Sequence, residues 1–312
     1  MDMPAQKFRL VTRSDFDGLV CAVLLKELDL IDDIKFVHPK DMQDGKVDIT
    51  ARDITTNLPY VPAARLVFDH HASETVRNIG ERPNHVLSAS APSAARVVYD
   101  YYGGAQAFPR VSPDMLAAVD QADSANYSRE DILHPQGWTL LNYLMDARTG
   151  LGRFRTFRIS NYQLMMALID HCRSHGIEEI LQLPDVIERV ELYRAHEAPA
   201  REQLLRCSRV HGHVVVLDLR DEETIFATNR FMIYALYPQC SVSIHIMWGL
   251  QKQNTVFAAG KSILNRSSRT RIGHLMLEYG GGGHTAAGTC QVPHERSDPV
   301  LGELLARMHQ DG

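Results

Sequence analysis

The first half of the chain repeats one pattern: a short apolar run, a stop marked by carboxylates or histidines, then a segment with helical spacing. Residues 8–12 form such a run, and Asp15 and Asp17 follow it directly. Leu19, Val20, Val23, Leu24 and Leu28 then place apolar side chains at helical spacing over 18–30. Residues 34–38 and 46–50 read as two more strands, the second carrying Asp48 and followed by Asp53. Residues 65–68 form another, stopping on Asp69, His70 and His71, and 92–102 and 114–122 read as helices. Strands alternating with helices build a parallel sheet covered on both faces, so an α/β fold is expected.

Residues 153–209 are almost purely helical in pattern, with candidate helices over 162–172 and 184–205, the second interrupted at Pro199. After that the pattern changes. Strands are expected over 214–219, 241–248, 255–259 and 288–292, with a helix over 272–279; Val242, Ile244 and Ile246 alternate onto one face. The expected organisation is an N-terminal parallel-sheet domain over 1–190, a helical connector over 191–209 and a smaller C-terminal α/β domain over 210–312.

Composition narrows the function classes. A hydrophobic share of 45% and a charged share of 23% suit a soluble chain with a real core. The net charge of -5 argues against binding long duplex nucleic acid, which needs a broad basic surface. It does not exclude a small phosphorylated substrate, because a bound metal ion brings its own positive charge. Five scattered cysteines without a C-x-x-C pair read as reduced thiols of a cytoplasmic protein. No apolar stretch is long enough for a membrane span, so no membrane partner is expected.

The stops carry the chemistry. Asp15 and Asp17 lie two apart, hence on one face of an extended segment, and Gly18 opens a helix behind them. Asp120 and Asp123 lie three apart, on one side of a helix. In isolation each has a plainer reading: an Asp-x-Asp pair is a turn or a helix cap, and a His-His pair is surface. Together, at the C-terminal ends of parallel strands where ligands bind in such sheets, they converge on one crevice. So many carboxylates cannot sit together without cations or protons. Mixed carboxylate and imidazole ligands favour Mn²⁺, with Mg²⁺ or another divalent metal as alternatives. Two such ions would stabilise charge on a transferring phosphoryl group.

These residues resemble the motifs of the DHH phosphoesterase superfamily. Ser14-Asp15-Phe16-Asp17-Gly18 is similar to its first motif, Phe68-Asp69-His70-His71-Ala72-Ser73 to the one that names it, and Asp123-Ser124-Ala125-Asn126-Tyr127 to its fourth. Gly280-Gly281-Gly282-Gly283-His284, followed by Ala286, Ala287 and Gly288, resembles the GGGH signature of the DHH-associated C-terminal domain. The resemblance spans nearly the whole chain. It implies that Asp15 binds one metal, that Asp17, His70 and Asp123 (with Asp120 as the alternative) bind the other, and that Asp53 bridges both. Asp69 would orient its neighbours, and His71 would contact the substrate phosphate or the leaving group. Gly281, Gly282, Gly283 and His284 would hold the far end of the substrate, since glycines let backbone N–H groups approach an oxyanion. One departure concerns the metals: the family has a histidine just before its first aspartates, where this chain has Arg13 or Val11. Arg13 is instead a candidate phosphate contact. Arg266, and after it Arg269, are the favoured phosphate contacts of the basic cluster before the glycine run.

The resemblance implies a metal-dependent phosphodiesterase that hydrolyses short oligoribonucleotides or linear dinucleotides of the pGpG kind to 5′-mononucleotides. A short-chain exopolyphosphatase, whose partner would be a phosphate polymer, and a non-catalytic nucleotide sensor stay open as alternatives, as does a homodimer.

Overall fold

The computed structural model describes residues 7–71 and 82–312. Ala72 and Ser73 of the DHH-like motif lie outside the described residues. The chain divides into two compact units. The first comprises the described residues up to Asn126, with Gln136–Ala147 and Leu151–Glu191; the second comprises Tyr127–Pro135, Arg148–Gly150 and Leu192–Gly312.

The first unit is built on a parallel sheet of β1 (Phe8–Arg13), β2 (Ile31–Val37), β3 (Asp53–Thr56), β4 (Leu66–Asp69) and β5 (His85–Leu87), in the order β2-β1-β3-β4-β5. Helix α1 (Phe16–Glu27) follows β1 after a two-residue turn. The Asp15 carboxylate caps it by accepting from the Gly18 N–H at 2.9 Å. From Leu19 to Leu25 every residue of α1 is fully buried. A helix that is apolar on all sides must be covered on all sides. It packs against α2 (Ala94–Tyr101), α3 (Pro113–Asp123) and, beyond α4 (Gly137–Met145), α5 (Asn161–Ser174). A long helix, α6 (Pro184–Cys207), runs unbroken through Pro199, where an interruption was expected.

One expected strand is absent. Residues 46–50 are irregular, and the strand begins at Asp53 instead. Val47 and Ile49 do alternate, but they pack with Val37 and Val61 against Val11, Met42 and Leu58 rather than joining a ladder. β5 had no clear signal in the sequence, being three half-buried residues held by β4.

The second unit carries a mixed sheet in the order β10-β11-β9-β8-β7-β6: β6 (Ser208–His211), β7 (Val214–Asp218), β8 (Val242–Trp248), β9 (Thr255–Lys261), β10 (Gly282–His284) and β11 (Ala287–Val292). β7 and β8 are parallel and the remaining pairs antiparallel. Val242, Ile244 and Ile246 fall on one face as their alternation implies. With Phe257 they form a core closed by Ile272 and Met276 of α7 (Ile272–Leu277) and by Val300, Leu304 and Met308 of α8 (Ser297–Asp311).

Candidate metal centre

The register of the first sheet decides which carboxylates meet. β1 ends beside β3 with Thr12 opposite Thr56, and β3 ends beside β4 with Thr56 opposite Phe68. Residues just beyond Thr12, Thr56 and Phe68 therefore share the C-terminal edge. Asp15, Asp17, Asn57, Asp69, His70 and His71 all lie there.

Asp17, His70 and Asp123 bring one ligand atom each to within 4.8 Å of one another. Asp17 is buried, with 2% of its surface exposed. Its carboxylate accepts from the Ala94 N–H at 3.0 Å and the Ala95 N–H at 2.7 Å, at the start of α2, where an anion is favoured. Even so, burial pushes the Asp17 carboxyl well above its ordinary value, and the Asp123 and Asp15 carboxylates push it further. The His70 ring places Nδ1 3.3 Å from the Ala91 carbonyl oxygen, which directs Nε2 to the cluster. That Nε2 lies 2.8 Å from Asp123 Oδ2, yet it is buried and too poorly directed to make a hydrogen bond. Burial alone would lower the His70 imidazole, but Asp123 outweighs it and raises the group to about 9. Asp123, at the end of α3, is raised by burial, but His70 outweighs this and holds its carboxyl below the ordinary value.

An imidazole nitrogen without a hydrogen bond, aimed at two carboxylates of which one resists ionising, fits a divalent cation. Such an ion would accept all three atoms and relieve the repulsion between Asp17 and Asp123.

Beside this group, Asp69 is buried and accepts from the His70 N–H at 2.8 Å and the His71 N–H at 3.2 Å. Its Oδ1 also lies 2.7 Å from His71 Nδ1. A carboxylate at Nδ1 fixes the tautomer and turns the Nε2 edge of His71 the opposite way. Asp69 thus contacts both histidines.

Two expected ligands are elsewhere. Asp53 opens β3 rather than following a strand, so it lies opposite Arg9 at the N-terminal edge of the sheet. Arg9 Nε donates to it at 2.6 Å and the Thr50 N–H at 2.6 Å. Burial raises the Asp53 carboxyl, but Arg9 and Thr50 more than offset this and hold it below its ordinary value. It is engaged in an ion pair at that edge and lies outside the three-ligand group. Asp120 accepts from Ser93 Oγ at 2.7 Å and Arg96 Nε at 2.9 Å, tying α3 to the start of α2; Asp123 is the member of the pair that reaches the cluster. Asp15 lies at the correct edge but outside the three-ligand group, and Arg13 Nε sits 2.9 Å from its Oδ2. Asn57 was missed. Its amide donates to both Asp15 oxygens, at 3.3 and 3.4 Å, and a strand placed at Asp53–Thr56 would have pointed to it.

In the second unit the glycine run is a packed hairpin and not a loose loop. Gly283 pairs with Gly288 at a φ of 153°, and a Cβ there would fall 2.2 Å from the Ala287 carbonyl oxygen. A Cβ on Gly281 would fall 2.0 Å from that of Thr289. Gly282 differs: a Cβ there would meet nothing within 4 Å. His284 is exposed at the end of β10. Arg266 is exposed, its Nε donating to the Ile263 carbonyl at 3.0 Å. Arg269 lines a 180 Å³ cavity with Arg271, His274, Glu278 and Arg307. Lys261 reaches the Ser268 carbonyl at 3.1 Å.

The chain is 64% identical to a pGpG-specific phosphodiesterase, PggH from Vibrio cholerae, with a TM-score of 0.88, over 98% of this chain and 100% of that one. The chain belongs to the DHH phosphoesterase superfamily. CDC45 from Entamoeba histolytica shares the fold at 11% identity and a TM-score of 0.54, over 96% of this chain and 95% of that one. No protein-family model matches the chain, and no curated protein matches it either. Among the described residues, no helix is long and apolar enough to cross a membrane.

Proposed function

We propose that this chain is a metal-dependent phosphodiesterase that hydrolyses pGpG and similar linear dinucleotides to 5′-mononucleotides. The observation that carries this reading is the convergence of Asp17, His70 and Asp123 on one point, in a chain 64% identical over nearly its full length to a pGpG-specific enzyme. A divalent ion there, Mn²⁺ by the ligand set, would supply Lewis acidity toward a phosphoryl oxygen. Asp17, His70 and Asp123 would hold it. Asp69 locks His71 through Nδ1, so that His71 Nε2 is the edge able to meet the departing 3′ oxygen or a non-bridging oxygen. Hydrolysis breaks the bond between phosphorus and the 3′ oxygen and leaves both products with 5′-phosphates. In the second unit, Gly282 and His284 are candidate phosphate contacts. Five cysteines without disulfides suit a cytoplasmic site of action.

The test is turnover of pGpG, short RNAs, cyclic dinucleotides and polyphosphate by the purified protein with Mn²⁺, followed by anion-exchange separation of the products. Guanosine monophosphate from pGpG is expected, with kcat/KM lowered on the order of a thousand-fold in His70→Ala. Phosphate release from polyphosphate alone would replace the proposal with the exopolyphosphatase reading.

A further inference from the structure

We infer that the centre holds a single divalent cation, and that the Arg13 guanidinium supplies the second positive charge, on Asp15. The inference rests on the phosphodiesterase reading of the site but concerns only what neutralises its carboxylates.

Among the described residues only one group of three ligands forms, and it takes up Asp17, His70 and Asp123. Of the carboxylates at the same edge outside that group, Asp69 is bound to the two histidines, and Asp15 is engaged by three neighbours of its own. Its Oδ1 accepts the Gly18 N–H at 2.9 Å, its Oδ2 lies 2.9 Å from Arg13 Nε, and the Asn57 amide donates to both oxygens. Asn57 directly follows β3 and stands beside Asp15. It is 1% exposed and sits in the left-handed region at a φ of 55°, a conformation that asparagine tolerates. Its Oδ1 is buried without a hydrogen-bond partner. An amide rather than a carboxylate at this position removes a charge that a second cation would have had to balance.

The charges close on the same count. Asp69 is set aside, its carboxylate taken up by the His70 and His71 N–H groups and by His71 Nδ1; Asp15, Asp17 and Asp123 bring three negative charges, and Arg13 brings one positive charge. The remaining two match one divalent ion with His70 neutral. A second ion would overcharge a partly buried site and would find Asp15 held by a cation. Asp53, the expected bridge between two ions, is paired with Arg9 at the other edge of the sheet. Arg13 is about one-third exposed, so its planar fork can also meet the non-bridging oxygens of a bound phosphate.

The experiment counts metal rather than turnover, so it can fail independently of the substrate assignment. Metal-free protein is dialysed to equilibrium against excess Mn²⁺ and counted by elemental analysis, and the bound ion is examined by electron paramagnetic resonance. One Mn²⁺ per chain with an uncoupled signal is expected. In Arg13→Ala/Asn57→Asp, which loses a positive and gains a negative charge, the count should rise to two. Two ions per wild-type chain, or an exchange-coupled signal from it, would overturn the inference. So would a folded double variant, checked by circular dichroism, that still binds one. The wild-type count decides the matter alone should the double variant fail to fold.

Discussion

The two units are built by opposite means. The first concentrates charged side chains at a sheet edge and buries them until only a cation can settle them. The second takes side chains away, closing β10 on β11 so tightly that glycine is the residue that fits. A charged centre identifies itself by what is present, and its residues can be named once the register is known. A glycine run identifies itself by what is missing, and that has two causes: backbone packing or ligand approach. Gly281 and Gly283 belong to the first cause, by the carbonyl oxygens a Cβ would strike. Gly282 has no such neighbour, and its φ is not in the left-handed region.

The sharpest way to break that comparison is to add one methyl group at each position. Gly283→Ala forces a Cβ against the Ala287 carbonyl at a φ of 153° and should cost about 4 kcal/mol or more of stability. Gly282→Ala should stay within about 0.5 kcal/mol of wild type in chemical denaturation. On the proposal that Gly282 contacts the substrate, it should nonetheless lower kcat/KM for pGpG on the order of ten-fold through KM. An unchanged KM in Gly282→Ala would mean that the open glycine serves no ligand, and the contrast within the run would lose its functional half.

Next in size is the carboxylate that the sequence misplaced. Asp53→Asn removes a buried acceptor from Arg9 and Thr50 and should destabilise the first unit by about 2–3 kcal/mol, read as a lower Tm. Metal content and kcat should not move at temperatures where the variant is folded. A bridging ligand would behave the other way round, with catalysis lost by orders of magnitude and Tm little changed.

That reversal shows where legibility ended. Helix α1 was readable because its apolar residues exceed any one face, and Val242, Ile244 and Ile246 were readable because alternation has one simple cause. The Asp-His-His stop and Asp123 were readable as chemistry. The strand over 46–50 was not there, because Val47 and Ile49 alternate without pairing. A shift of a few residues moved Asp53 from one end of the sheet to the other and hid Asn57, whose amide carries no charge to draw notice. The family pattern supplied the expectation of a bridging aspartate; only the register of β1 against β3 could test it.

The smallest effect belongs to a titrating group of the second unit, far in kind from the charged cluster of the first. His245 lies on β8 opposite Leu217 and Ala258, and its Nε2 is buried without a hydrogen-bond partner. Burial pushes its imidazole down to about 4. The unfolded chain therefore takes up a proton as pH falls through about 6.5, while the folded chain does not until about 4. Stability contributed by neutral His245 is complete above that upper value and is lost on going down through the window. The residue as a whole is not fully buried, so the loss should be about 1–2 kcal/mol rather than the larger figure the full shift implies. His245→Gln, which cannot titrate, should flatten this slope when denaturation is compared at about pH 7.5 and about pH 5. If the variant keeps the wild-type slope, the acid sensitivity lies elsewhere, and the carboxylates and His70 of the first unit become the groups to examine. With metal bound that cluster should resist acid until its ligands protonate, so repeating the comparison with and without Mn²⁺ separates the two units by the one property they do not share.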